Sequence, residues 1–223
     1  MSVSPEIILT ADGSHTLFVP ELDEHYHSVN GAIQESTHIF INIGLHQVQK
    51  ETIRIFEVGF GTGLNAFLTL TDEYTKEKTI HYTAIEAYPL PLEIITKLNY
   101  AEQYPTSGQL LFQGLHKAEW DKVVKITPYF RLKKLTGDLT SFDYNLIEES
   151  VDIIYFDAFA PDKQPDMWTQ DIFDRMYAIT APQGVLVTYC AKGSVRRMMQ
   201  QAGYKVERLP GPPGKREMLR ATK

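Results

Sequence analysis

Residues 54–66 read Arg54-Ile55-Phe56-Glu57-Val58-Gly59-Phe60-Gly61-Thr62-Gly63-Leu64-Asn65-Ala66. An apolar run ends at one acid, three glycines follow at alternate positions, and a helix-forming segment begins. This reads as a buried strand, a tight turn and the first turn of a helix. The turn needs glycine because its backbone takes positive φ and passes within contact distance of a ligand. The helix points its free N–H groups at whatever sits there. An extended small cofactor at the end of a parallel strand is the first expectation.

Outward from this stretch, hydrophobic runs alternate with turn residues. Residues 6–9 and 15–19 flank Asp12-Gly13, a hairpin signal. Residues 30–48 carry Ile33, Ile39, Phe40, Ile43 and Leu45 at mixed helical spacing and read as one helix. Strands are predicted at 53–58, 80–86, 129–135, 151–157, 185–190, 204–209 and 215–221. Helices are predicted at 63–74, from Pro89 and Pro91 to about 101, and at 115–125, 169–180 and 193–202. Residues 103–128, punctuated by Pro105 and Gly108, carry the weakest pattern. Pro182-Gln183-Gly184 and Pro210-Gly211-Pro212-Pro213-Gly214 read as turns.

The alternation predicts a single domain over 1–223. Its α/β core, 51–223, is a doubly wound, mostly parallel seven-stranded sheet, with a hairpin and helix extension at 1–50. Ligands of such sheets lie beyond the carboxyl ends of the strands. There the first four core strands deliver the glycine turn, Glu86, Gly137-Asp138 and Asp157. A helix cap explains any one of these; all four together mark a site.

Composition sets the limits. The 223 residues are 43% hydrophobic and 22% charged, which suits one globular core. A lone cysteine, Cys190, excludes an internal disulfide framework and fits a reducing compartment as a small core thiol. Met1-Ser2-Val3-Ser4-Pro5-Glu6 has no signal-peptide pattern, and no uncharged apolar run nears the ~20 residues that span a bilayer. A soluble cytoplasmic protein with no membrane partner is expected. The histidines and the cysteine show no ligand spacing, so no metal is expected. Net charge is −6, yet residues 192–223 hold nine Lys or Arg against Glu207 and Glu217, a net +7 that leaves −13 elsewhere. The asymmetry is either a basic face for a polyanion or a solvated surface.

Two cofactors compete for the crevice. Gly61-Thr62-Gly63-Leu64-Asn65-Ala66 satisfies the G-x-G-x-x-A dinucleotide fingerprint, with Glu86 about 20 residues beyond. Glu57-Val58-Gly59-Phe60-Gly61-Thr62-Gly63 satisfies acid-x-Gly-x-Gly-x-Gly and resembles the first motif of Rossmann-like class I methyltransferases, which bind S-adenosyl-L-methionine. A cationic sulfonium suits a crevice lined by carboxylates; two phosphates do not. The resemblance implies that this motif, through Asn65, cradles the cofactor. Glu86 then takes the ribose hydroxyls and Gly137-Asp138 lies beside the adenine.

The second half narrows the resemblance. Asp157-Ala158-Phe159-Ala160-Pro161-Asp162-Lys163-Gln164-Pro165-Asp166-Met167-Trp168-Thr169 is a rigid loop in which exposed Phe159 and Trp168 are placed to stack on a flat ring. With Val195-Arg196-Arg197, Ala202-Gly203-Tyr204, Gly214-Lys215-Arg216-Glu217-Met218-Leu219, Tyr26-His27-Ser28 and Gly31 with Glu35-Ser36, it resembles the MnmC/MnmD family. Those methyltransferases finish the 5-methylaminomethyl group on the wobble uridine of certain tRNAs. The resemblance covers nearly the whole chain, least so 103–128. Better-known members are fusions to a flavin-dependent oxidase, and no flavin domain is expected here. Ala158 and Gln164 stand where the family often has Gly and Asn.

The resemblance implies a tRNA (5-aminomethyl-2-thiouridylate)-methyltransferase acting on the anticodon loop. Its amine must lose a proton before it attacks the methyl group. Asp157 is the candidate to accept that proton or hold the amine in line, or it is a loop-capping acid. Phe159 and Trp168 clamp the uracil or are core aromatics. Lys163 meets the anticodon backbone or is solvated. Arg196, Arg197, Lys215 and Arg216 are the positions expected to touch phosphates, and Tyr26 and Ser28 to close over the cofactor. Two other readings stay open: a polyamine synthase or small-amine methyltransferase on the same fold, and a non-catalytic RNA-binding protein.

Overall fold

A computed structural model describes residues 4–104, 106–147 and 150–223, so Met1–Val3, Pro105, Glu148 and Glu149 lie outside it. At the start, β1 (Glu6–Leu9), β2 (His15–Val19) and β3 (Glu24–His25) form an antiparallel sheet. The expected hairpin gains its third strand because the Tyr26 amide donates to the Leu17 carbonyl at 2.9 Å, drawing the chain back along β2. Where one helix was expected over 30–48, α1 (Ala32–Ser36) passes into a π-helical turn at Thr37–Asn42 and a 3₁₀ turn at Leu45–Gln47. The widened turn buries Ile39, Phe40 and Ile41 in the core, with the Phe40 ring 5.2 Å from the Tyr155 ring. Gly44 ends it, since a Cβ there would lie 2.5 Å from the Phe40 carbonyl oxygen.

The core then runs β4 (Thr52–Val58), α2 (Leu64–Thr71), β5 (Thr79–Glu86), α3 (Leu92–Ile95), α4 (Thr106–Lys117), β6 (Val123–Lys125) and β7 (Phe130–Thr136). It continues with β8 (Val151–Phe156), α5 (Gln170–Ile179), β9 (Thr180–Thr188), α6 (Gly193–Ala202), β10 (Lys205–Pro210) and β11 (Glu217–Thr222). The strands order as β10-β11-β9-β8-β4-β5-β7-β6. Strands β7, β5, β4, β8 and β9 are parallel neighbours, while β11 runs antiparallel to β9 and β10, and β6 to β7. Chain order reverses between β4 and β8, which makes the carboxyl ends of these two strands the switch point.

Three expectations need correction. Among the described residues the sheet has eight strands, not seven, because β6 occupies part of the segment read as a helix over 115–125; the helix of that region is α4, further upstream. The helix expected to reach about 101 stops at Ile95. Asn99 instead binds the N-terminal sheet, accepting from the His15 amide at 2.8 Å and donating to the Gly13 carbonyl at 2.9 Å. Finally, Pro182-Gln183-Gly184 is a bulge inside β9, with Gln183 at φ 64° and a register jump against β8.

Side chains alternate across the sheet. Ile53, Ile55, Tyr82, Leu132 and Tyr155 face one layer with α2, α4 and the π turn; Phe56, Val58, Ile154, Phe156 and Leu186 face the other with α5 and α6. Both faces of β4 and β8 are covered, so these strands read as near-continuous apolar runs. Phe56 is fully buried in the second layer. Phe56→Ala is expected to cost about 3–5 kcal/mol through lost burial and the cavity left behind, measured as a fall in the urea midpoint.

Candidate active site

The loop after β4 is built around three glycines in the left-handed region, Gly59 at φ 85°, Gly61 at φ 48° and Gly63 at φ 71°. Space as well as dihedral excludes side chains there. A Cβ on Gly61 would lie 3.0 Å from the Tyr26 ring, and one on Gly63 would lie 2.7 Å from His116 Nε2. The loop is also held from behind. His116 Nε2 donates to the Thr62 carbonyl at 3.1 Å, and Lys134 Nζ donates to the His116 carbonyl at 2.8 Å. Lys134 is 1% exposed, with its ammonium over the Trp120 ring at 4.6 Å and the Phe60 ring at 5.2 Å; burial pulls its pKa down to about 8. Across the loop, His27 and the Thr62 hydroxyl are hydrogen-bonded at 2.8 Å. Burial lowers His27 and His116 to about 4, so both stay neutral near pH 7.

Carboxylates gather where β4, β5 and β8 end. Glu86 accepts from the Gly61 amide at 2.9 Å and the Tyr88 amide at 2.8 Å, which fixes it against the glycine loop. Asp157 accepts from the Asn65 side-chain amide at 2.8 Å. Asp157 is half-buried and lines the cavity. Desolvation therefore pushes its pKa up to about 7, against the opposing Asn65 hydrogen bond, with Glu35 raising and Lys215 lowering it. Glu57 is 1% exposed and neither of its oxygens closes a well-formed hydrogen bond, although Tyr82 and Asn65 lie near enough to ease its charge. Burial, with Asp157 and Glu86 adding to it, holds Glu57 well above the usual carboxylate range.

The N-terminal extension and the last hairpin complete the walls. Tyr26 lies over Gly61 and meets Phe159 edge-on, with ring centroids 5.0 Å apart. Glu35 is buried; it accepts from the Ser28 amide at 2.9 Å and from Lys215, whose ammonium sits 4.1 Å over the Tyr189 ring. The cavity measures about 610 Å³, within the ~300–1,000 Å³ range of small-molecule sites. It offers a bare backbone loop, a helix start and several carboxylates, with Glu57 buried behind the loop. Such walls fit an elongated cation far better than a pyrophosphate.

Residues 109–223 match the family described as S-adenosyl-L-methionine-dependent methyltransferase. The chain belongs to this family. The methyltransferase is 31% identical over 235 residues to the tRNA 5-methylaminomethyl-2-thiouridine biosynthesis bifunctional protein MnmC of Cupriavidus necator, covering 97% of this chain and 34% of that protein. The Burkholderia multivorans protein of the same name is 29% identical over 227 residues, covering 92% of this chain and 33% of its own. The chain thus spans about a third of the length of these curated relatives. Among solved structures, MNMC2 from Aquifex aeolicus superposes with a TM-score of 0.78 at 28% identity, over 98% of this chain and 69% of that one. Spermidine synthase from Thermotoga maritima, at a TM-score of 0.58 and 11% identity over 100% of this chain and 71% of that one, shares the fold alone. The sequence and structural matches together assign this methyltransferase to the methyltransferase domain of the MnmC proteins.

The methyltransferase brings Gly59, Phe60, Gly61, Thr62, Asn65, Glu86, Gly137, Asp138 and Asp157 to the cavity, with Tyr26, Ser28, Phe159 and Lys163 at its walls. Glu57 and Gly63 lie behind that surface. Asp138 turns one oxygen to the Thr140 amide and hydroxyl, both at 2.8 Å, and so shapes the rim. Lys163 lies 3.6 Å from Asp23.

Two expectations fail on geometry. Trp168 is not exposed: at 5% exposure it packs between Phe156 and Phe173 and donates its indole N–H to the Phe159 carbonyl at 2.8 Å, bracing the loop from inside. Lys215 is not presented outward to a phosphate chain but is paired to Glu35 within the cavity wall. Arg197 and Arg216 are exposed, whereas the Arg196 Nε is buried without a partner. Lys192, Arg208 and Arg220 pair with Asp162, Glu217 and Glu207, so part of the basic tail is neutralised within the chain. Glu35 stood in the sequence only as part of the family resemblance, without a role, and Tyr189, His116 and Lys134 were not among the expected site residues. Of these three, Lys134 carried a signal, a lysine at an inward position of the alternating strand Phe130, Leu132, Lys134.

Two measurements follow. Gly61→Ala forces a side chain into a left-handed position against Tyr26, and at least a tenfold weaker affinity for S-adenosyl-L-methionine is expected by calorimetry. Asp157 has a folded pKa of about 7, above its ordinary ~3.9. Its contribution to stability is complete below the ordinary value and is lost as pH rises through about 7. Asp157→Asn lacks this loss, so its stability relative to the parent should grow from pH 4 to about 7, by on the order of a few kcal/mol, and then level off. Denaturant titrations across that range check it.

Proposed function

We propose that the chain N-methylates the 5-aminomethyl group of uridine or 2-thiouridine at the tRNA wobble position, giving the 5-methylaminomethyl nucleoside. The observation that carries this reading is Asp157, a carboxylate with near-neutral pKa, hydrogen-bonded to Asn65 and facing the cavity at the switch point. The relatives named for 5-methylaminomethyl-2-thiouridine biosynthesis support the choice of substrate.

When bound, S-adenosyl-L-methionine supplies a methyl group on a cationic sulfur, which passes to the amine nitrogen as its carbon–sulfur bond breaks. The glycine loop and Asn65 would hold the methionine part, Glu86 the ribose, and Gly137 with Asp138 the adenine end. Glu57, whose proton burial retains, would lie beneath the donor, whose positive charge favours loss of that proton. An ammonium has no lone pair, so Asp157 takes or orients the amine's proton before the nitrogen attacks. A pKa of about 7 equips it to do so near neutral pH, where an ordinary carboxylate is too weak a base. Phe159 and Tyr26 form the aromatic edge of the substrate end. Arg197 and Arg216, exposed beyond the cavity, serve the RNA backbone.

The test mixes the protein, labelled donor and tRNA from cells lacking the gene, followed by nucleoside digestion. Label is expected in 5-methylaminomethyl-2-thiouridine or its oxygen counterpart. Asp157→Ala should lower kcat by about 10²–10⁴ while donor affinity is largely kept. Label confined to polyamines or small amines, or none at all, overturns the proposal, as does full activity of Asp157→Ala.

A further inference from the structure

Glu35 and Lys215 lie 180 positions apart in the chain, yet share one wall of the cavity beside Asp157, whose charge both bias. Glu35 is buried, and each of its oxygens accepts one hydrogen bond, from the Ser28 amide and from Lys215. A carboxylate oxygen has two lone-pair sites, so each keeps one free. Lys215 spends one of its three N–H donors on Glu35 and keeps about 30% of its side chain exposed. The Tyr189 ring underlies its ammonium at 4.1 Å, and the Tyr189 hydroxyl donates to the Ala158 carbonyl at 2.9 Å, in the loop that follows Asp157.

The chain takes some trouble to assemble this pair. Gly214 has φ 86°, and any Cβ there would collide with the Asn30 side chain, so the tip of the last hairpin sits directly on the Ser28–Gly31 turn. The Lys215 amide donates to the Pro212 carbonyl at 2.9 Å and the Gly211 amide to the Arg216 carbonyl at 3.1 Å, which fixes that tip. Were the pair needed only to join the two segments, packed apolar residues would join them without desolvating two charges.

Resting on the wobble-uridine reading above, we propose that Glu35 and Lys215 form the subsite that reads the imide edge of the target uracil. That edge presents an N–H donor at N3 flanked by carbonyl acceptors, and a carboxylate beside an ammonium is its complement. Cytosine reverses the pattern, with a bare nitrogen at N3 and an amino group at C4, so Glu35 would face a lone pair and Lys215 a donor. Sites built to satisfy a specific hydrogen-bond pattern reject the analogue that leaves them unpaired.

The experiment uses two anticodon stem-loop RNAs that differ only in carrying 5-aminomethyluridine or 5-aminomethylcytidine, so the reacting amine is the same. The parent protein should favour the uridine RNA by about 100-fold or more in kcat/KM. Glu35→Gln, whose amide can donate to the cytosine nitrogen, should narrow that preference by about tenfold or more. Lys215→Met should raise KM for the uridine RNA about tenfold or more, while Lys215→Arg, which keeps a cationic donor, retains the preference. Calorimetry should find the affinity of each variant for S-adenosyl-L-methionine within about twofold of the parent, which separates base reading from a damaged fold. Equal kcat/KM on the two RNAs, or a preference unchanged in both Glu35→Gln and Lys215→Met, overturns the proposal and leaves the wobble-uridine reading standing. A parent protein inactive on both RNAs overturns that reading, and this subsite with it.

Discussion

Glu57 is withdrawn from water and Asp157 half-withdrawn, with Asn65 and Tyr82 near enough to ease their charge. Burying a carboxylate without a counter-charge is among the more costly arrangements a fold can hold. Here the cost is met by keeping protons on the acids: desolvation raises both pKa values. A ligand that brings positive charge reverses this balance. The same desolvation favours a cationic methyl donor, and it disfavours a dinucleotide whose phosphates would meet these acids. The selectivity among cofactors therefore comes less from the glycine loop, which several families share, than from the charge of the floor beneath it.

The sheet keeps that floor in place. Strands β4 and β8 are covered on both faces, so their ends cannot shift without disturbing both core layers. Asp157 follows β8 directly, and its amide donates to the Val58 carbonyl at the end of β4. The glycine loop is pinned from one side by His116 and Lys134 and from the other by His27 and Tyr26. A loop that must take three left-handed residues is thereby held in one conformation before any ligand arrives.

Much of this was readable before any coordinates. The parallel strands, the glycine turn and the acids at the strand ends all follow from local pattern: an apolar run, a punctuating residue and a carboxylate one step beyond. What escaped the sequence depends on contacts between distant segments. Whether Trp168 points out or in is decided by Phe156 and Phe173, and Lys215 became a wall residue because Glu35 lies opposite. The helix after Gly31 widens at Thr37–Asn42 and stops at Gly44, where the backbone passes the Phe40 carbonyl, and periodicity alone does not foresee either. β6 has three residues, two of them exposed, and Val123-Val124 is too short a run to show a strand's alternation.

The joining of Glu35 to Lys215, with the Gly214 tip seated on Asn30, closes the cavity wall with two segments 180 positions apart. That side of the chamber forms only once both segments have settled onto the sheet. A polypeptide in which residues 211–216 are displaced keeps its glycine loop and acids but is left with an open crevice in place of a working site.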